Sequence, residues 1–154
     1  MGELEAHCTF GIHLPDGWED TTVHTFSGPD EDGIQHTLCL ALERIVGNVV
    51  LDAFARERID SVVASLPNLI ILKEEHRSLP DDSEIYECVC KWIPADGNAL
   101  LQKHVFAVKD GVGYTFTTTF SKKTIKTIGV VVDQIIESIL SGENQFSNKD
   151  EAWS

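Results

Sequence analysis

Two β-rich runs, Leu100–Lys109 and Val112–Phe120, are separated by nothing but Asp110-Gly111. A two-residue connection of this kind needs positive φ at both positions, which Asp-Gly tolerates, and it folds the two runs into a hairpin. Thr115, Thr117, Thr118 and Thr119 add the β-branched stiffness that suits strands. A third run, Glu84–Ile93, reaches Leu100 through Pro94-Ala95-Asp96-Gly97-Asn98, a loop signal. These three strands in sequence constrain the fold more than any other feature of the chain.

Residues 8 to 12 alternate, with Cys8, Phe10 and Ile12 on one face, and residues 22 to 26 read as a second short strand ending at the turn Ser27-Gly28-Pro29. Asp30-Glu31-Asp32-Gly33 reads as an acidic loop. Thr37–Glu43 is a strand with Leu38, Leu40 and Leu42 on one face and Cys39 and Ala41 on the other. Leu51, Phe54, Ala55, Ile59, Val62, Val63 and Leu66 recur at helical spacing, so a helix is expected from Val50 to Leu66, with Asn48 as its N-cap. Pro67-Asn68 ends it, Leu69–Arg77 is the next strand, and Pro80-Asp81-Asp82 a turn. A second helix is expected over Lys123–Leu140, with Ile125, Ile128, Val132, Ile135, Ile136 and Ile139 on its apolar side, closed by Ser141-Gly142. Strands, helix, strands, helix is the order of an α+β antiparallel sheet. One domain over residues 1–140 is expected, followed by a polar, frayed tail over 141–154 in which only Phe146 and Trp153 are large and apolar.

Twelve basic against 25 acidic side chains give a net charge of −13. Such a balance repels phosphate backbones and anionic lipid surfaces, so neither nucleic acid nor a membrane is an expected partner. No apolar run approaches the roughly 18 residues of a membrane span. The acidic start Met1-Gly2-Glu3-Leu4-Glu5 lacks the pattern of a signal peptide, and Ala6 does not fit a myristoylation motif. A cytoplasmic protein with reduced Cys8, Cys39, Cys88 and Cys90 is the expectation.

No catalytic motif stands out. There is no G-x-S-x-G elbow, no S-x-x-K, no H-E-x-x-H and no glycine-rich phosphate loop beyond a lone Gly111-Val112-Gly113. Cys88-Val89-Cys90 places two thiols on one face of a strand, without the loop that wraps structural zinc. Asp30-Glu31-Asp32 and Asp81-Asp82 have no EF-hand register. No cofactor and no enzyme activity are therefore expected.

Several strands are apolar or near-neutral on both faces. Leu38, Leu40 and Leu42 oppose Cys39 and Ala41, while Tyr86, Cys88, Cys90 and Trp92 oppose Ile85, Val89 and Ile93. A half-solvated antiparallel sheet alternates more cleanly. Either one helix covers each face, or part of one face is a groove filled by a partner helix or a second protomer.

The opening Leu14-Pro15-Asp16-Gly17-Trp18-Glu19-Asp20 resembles the PsbP-like superfamily, in particular its DcrB/EagR branch. The similarity continues through Val23-x-x-Phe26, Leu38 to Glu43-Arg44, Ser65-Leu66-Pro67, Lys103-His104-Val105-Phe106 and Tyr114 to Thr119, spanning residues 8 to 140. The acidic segment 28–36 and the tail after Leu140 depart from the pattern. The resemblance implies a twisted antiparallel sheet of six to seven strands with two main helices. It also implies a homodimeric cytoplasmic chaperone for type VI secretion effectors, one that covers their N-terminal transmembrane helices before loading. Matched onto the family pattern, Val23, Leu38, Leu40, Val62, Leu66 and Phe106 are the expected partner-binding positions. The alternative is a small-ligand- or metal-binding domain of the same fold without catalytic activity, with Cys88, Cys90 and His104 as the metal ligands.

Overall fold

A computed structural model of the chain describes residues 14–45, 47–95 and 97–141. Its elements are β1 (Val23–Glu31), β2 (Ile34–Arg44), α1 (Leu51–Ser65), β3 (Ile70–Ser78), β4 (Glu84–Trp92), β5 (Leu100–Lys109), β6 (Val112–Phe120) and α2 (Thr124–Leu140). The six strands form one antiparallel sheet in the order β1-β2-β6-β5-β4-β3. α1 carries the chain from β2 to the far edge, and the meander β3 to β6 brings it back beside β2. The strand read over residues 8 to 12 and the tail after Ser141 lie outside the described residues.

Both tight hairpins use the same chemistry. Asp110 and Gly111 have φ of 52° and 77°, and Asp32 and Gly33 have 54° and 77°. This corrects the turn expected at Ser27-Gly28-Pro29 and the loop expected after it, because β1 runs on to Glu31. Pro29 is tolerated because β1 is an edge strand, where a missing N–H costs no ladder bond, and the register is irregular between Ser27 and Asp30.

α1 begins one residue after Val50, which supplies no side-chain cap, so Asn48 is not the N-cap. It buries Phe54, Ala55 and Ile59 against the sheet. α2 is fastened at its start by a reciprocal pair: Ser121 N–H donates to Thr124 Oγ1 at 2.9 Å, and Thr124 N–H to Ser121 Oγ at 3.1 Å. Its buried stripe is Ile128, Gly129, Val132, Ile136 and Leu140, and Ile135 points outward.

The two helices lie on opposite faces of the sheet, as the first of the two readings of its faces anticipated. Leu38, Leu40, Ile85, Val105, Phe116 and Phe120 pack with α2. Cys88, Cys90 and Phe106 pack with Phe54, Ala55 and Ile59 of α1. Gly113 lets α1 approach, since a Cβ there would run into the Phe54 ring. On the α2 face an ionic cluster joins helix to sheet. Buried Glu87 meets Arg77 at 3.1 Å, Lys103 at 3.4 Å and Lys73 at 3.5 Å, and Lys103 also reaches Asp133 at 2.8 Å.

Candidate functional site

α1 covers only half of its face. It sits over β4 and β5. On one flank it is tied to β3, with Arg56 to Glu74 and Asp52 to His76 at 2.6 Å. On the other flank Arg58 pairs with Glu43 of β2 and stacks over the Phe54 ring, 3.7 Å from its centroid. Beyond that flank, past the approach of Phe54 to Gly113 at the start of β6, no described helix lies on this face over β1, β2 and the rest of β6.

Strand register shows what the uncovered strip consists of. Directly opposed residues in antiparallel pairs share a face. One row crosses all six strands: Thr25, Cys39, Thr117, His104, Cys88 and Glu74. The row beside it is Val23, Ala41, Thr115, Phe106, Tyr86 and His76. In each row the β5 and β4 members are shielded by α1, whereas Thr25 and Val23 are exposed and Cys39, Ala41, Thr115 and Thr117 half-buried. Thr119, two residues beyond Thr117, extends the floor. The strip is therefore a floor of small and hydroxyl side chains, with α1 as its wall.

His104 marks the boundary between shielded and open halves. It is only 5% exposed, and its ring lies nearly parallel to Phe106, at 8° and 6.3 Å between centroids. Burial pushes its pKa down to about 4, so the imidazole is neutral at physiological pH. Its Nε2 lies 3.3 Å from Gln102 Oε1 and its Nδ1 3.3 Å from Thr117 Oγ1. A neutral imidazole has one donor and one acceptor. Donation from Nε2 to Gln102 leaves Nδ1 to accept the Thr117 hydroxyl. Gln102 then keeps its amide donors, and Thr117 its oxygen lone pairs, for a molecule seated on the strip.

The two buried thiols are a separate feature. Cys88 and Cys90 Sγ atoms are 3.5 Å apart beneath α1. Their mutual hydrogen bond raises the Cys88 pKa, with burial adding to it, and lowers that of Cys90. Among the described residues no group of three His, Cys, Asp or Glu side chains is placed to hold a metal ion. The expected trio Cys88, Cys90 and His104 is not assembled, because the His104 nitrogens turn to Gln102 and Thr117.

The six expected partner-binding residues do not form one surface. Val23, 55% exposed, lies on the strip, and half-buried Val62 and Leu66 continue the α1 flank beyond Arg58. Phe106 is on the same face but fully buried under α1. Leu38 and Leu40 are on the opposite face, buried beneath α2 at 3% and 5% exposure. The reason is the strand period of two: even-numbered residues of β2 face α2, and odd-numbered ones face the strip. Thr25, Cys39, Ala41, Thr115, Thr117 and Thr119, which line the strip, are not among the six expected positions. The signal that marks them is the alternation itself, read for its less apolar side.

Comparison with known proteins agrees with this architecture. A family model, DcrB, matches residues 11–138. The chain belongs to the DcrB family. Its fold is similar to the crystal structure of PA94, a Pseudomonas aeruginosa protein of unknown function, with a TM-score of 0.67 and 14% identity over 82% of this chain and 88% of that one. It is also similar to the solution structure of the cyanobacterial PsbP protein CyanoP from Synechocystis sp. PCC 6803, with a TM-score of 0.50 and 12% identity over 82% of this chain and 96% of that one. These likenesses establish the PsbP-like α+β fold. No protein of curated function matches the chain in sequence.

Proposed function

We propose that the uncovered strip over β1, β2 and β6 seats an apolar helix of another protein. In this reading the chain is a cytoplasmic chaperone or adaptor for the transmembrane segments of a secreted effector. The observation that carries it is the half-covered face: one helix lies over β4 and β5, and among the described residues no second helix lies beside it. Three strands span about 14 Å, enough for one α-helix of about 10–12 Å diameter. The half-buried Cys39 and Ala41 and the methyl groups of Thr115, Thr117 and Thr119 offer apolar area, worth roughly 25 cal/mol per Å² before association costs. Their hydroxyls, with Gln102, meet polar atoms that a transmembrane helix carries. A helix of about 20 apolar residues cannot remain exposed in water, so a carrier of this kind keeps it soluble. No described helix of the chain is itself long and apolar enough to cross a membrane.

Co-expression with a soluble fusion bearing an N-terminal segment of about 20 apolar residues tests the reading. The wild-type chain retains the fusion through affinity purification. Ala41→Arg and Thr117→Arg, which place a long cation on the strip, lose it while keeping the wild-type circular dichroism spectrum. Retention by both folded variants would overturn the assignment.

A further inference from the structure

We propose that the corner where α2 begins, on the α2 face over β4 and β3, is a docking surface for a short acidic segment of another protein that also carries apolar side chains. Register defines the corner. Phe120, Leu101, Lys91 and Ile70 are opposed in turn across β6, β5, β4 and β3, so they share one face. Phe120 and Leu101 pack with α2, which identifies that face. Along the row exposure rises from 0% at Phe120 and 9% at Leu101, through half-buried Lys91, to 54% at Ile70. Here α2 shelters β6 and β5 and leaves β4 and β3 open.

The helix brings more cations to the same place. Lys122, Lys123 and Lys126 come just after Phe120, and all three are exposed. Lys126 and Asp133 are two helical turns apart and so share a flank of α2. Asp133 reaches Lys103 of β5 at 2.8 Å and Arg77 of β3 at 3.9 Å, so that flank faces β3. Val130, one turn beyond Lys126, is 54% exposed beside it.

Charge sets the corner apart in a chain of net charge −13. The carboxylates of this face are already engaged: Glu75 with Lys73 at 2.7 Å, Glu87 with Arg77 and Lys103, Asp133 with Lys103, and Glu137 with Arg77 at 3.8 Å. Among the described residues, none lies within ion-pair distance of Lys91, Lys122, Lys123 or Lys126. Asp30, Glu31 and Asp32 stand at this end of the sheet too, on the hairpin beyond β2 and away from β3. Four unpaired cations beside exposed Ile70 and Val130 match a segment that alternates carboxylates with apolar side chains. A short segment fits better than an extended polyanion. Screening confines the attraction to about 8 Å at physiological ionic strength, and a membrane or nucleic acid would meet the acidic remainder of the surface. The corner lies on the face opposite the strip and stands independently of the function proposed above.

The full-length chain, titrated with a short fluorescent peptide that alternates glutamate with leucine, should bind it at low salt and release it as salt rises. Backbone NMR shifts should fall on Ile70, Lys91, Lys126 and Val130 and leave Cys39 and Thr117 of the strip unmoved. Lys126→Glu should weaken binding about fivefold. Arg44→Glu makes the same change in net charge at the opposite end of β2, beside Val112, and should weaken it less than about twofold. Absence of binding, equal loss in the two variants, or shifts confined to the strip would overturn the proposal. Binding to phosphatidylglycerol vesicles with none to the peptide would assign the corner to a lipid surface and overturn it equally.

Discussion

His104 makes the stability of this protein depend on pH in a way that can be worked out beforehand. Its imidazole has an ordinary value of 6.5, and burial pushes it down to about 4 in the folded chain. Between those values the unfolded chain takes up a proton that the folded chain refuses. Stability from this residue is therefore intact above about pH 6.5, declines as pH falls, and is fully lost below about 4. At pH 5 the unfolded imidazole is almost wholly protonated and the folded one about a tenth, a difference of roughly 2 kcal/mol at about 1.4 kcal/mol per pH unit. For a domain of this size, that is a fall of about 4–8 °C in melting temperature. Urea titrations at pH 7.5 and pH 5 read it directly. His104→Gln keeps a polar side chain at the position and removes the titration, so the variant should lose about 2 kcal/mol less than wild type between the two pH values. Glu74, held low chiefly by the Tyr86 hydroxyl and then by Arg56, contributes equally to both proteins and cancels. Equal pH dependence in the two proteins, or an imidazole that titrates near 6.5 by NMR, would refute the reasoning.

Leu40→Gln tests which face is core. With Leu40 sealed beneath α2, a buried amide and lost packing should cost about 3 kcal/mol or more in denaturant unfolding, whereas Val131→Gln on the exposed side of α2 should change stability by less than about 0.5 kcal/mol. Glu87→Ala should cost about 1–3 kcal/mol, because it removes the buried acid shared by Arg77, Lys103 and Lys73, while Lys103 keeps Asp133. A loss below about 1 kcal/mol would mean that the cluster is solvated.

Regular elements with strong local chemistry were legible in the sequence. β5 and β6 match their expected bounds because Asp110-Gly111 fixes the hairpin and both flanking runs are β-branched or apolar. α2 is legible from its 3.6-residue period. β1 was cut short because Ser27-Gly28-Pro29 has the composition of a turn, and nothing local reveals that the strand lies at an edge, where Pro29 is harmless. Asp32-Gly33 carried the same signal as Asp110-Gly111 but sat inside an acidic run that read as loop. At the candidate site the face was the difficulty. Leu38 and Leu40 are the most apolar residues of β2, and apolarity alone cannot tell a core from a binding surface. Which side of β2 faces a helix of its own chain depends on where α1 and α2 settle, and that is a tertiary outcome. Cys39 and Ala41, on the other side, were visible as the alternate set.

Cys39 provides the most direct test of the central claim, because it lies half-buried on the strip while Cys88 and Cys90 are sealed under α1. Timed alkylation of the native protein, followed by mass spectrometry of the modified peptides, reports each thiol separately. Cys39 should react in the free protein and be protected at least tenfold when the apolar-helix fusion is bound, with Cys88 and Cys90 unreactive in both states. Unchanged Cys39 reactivity in a verified complex would place the helix elsewhere and contradict the assignment of the strip.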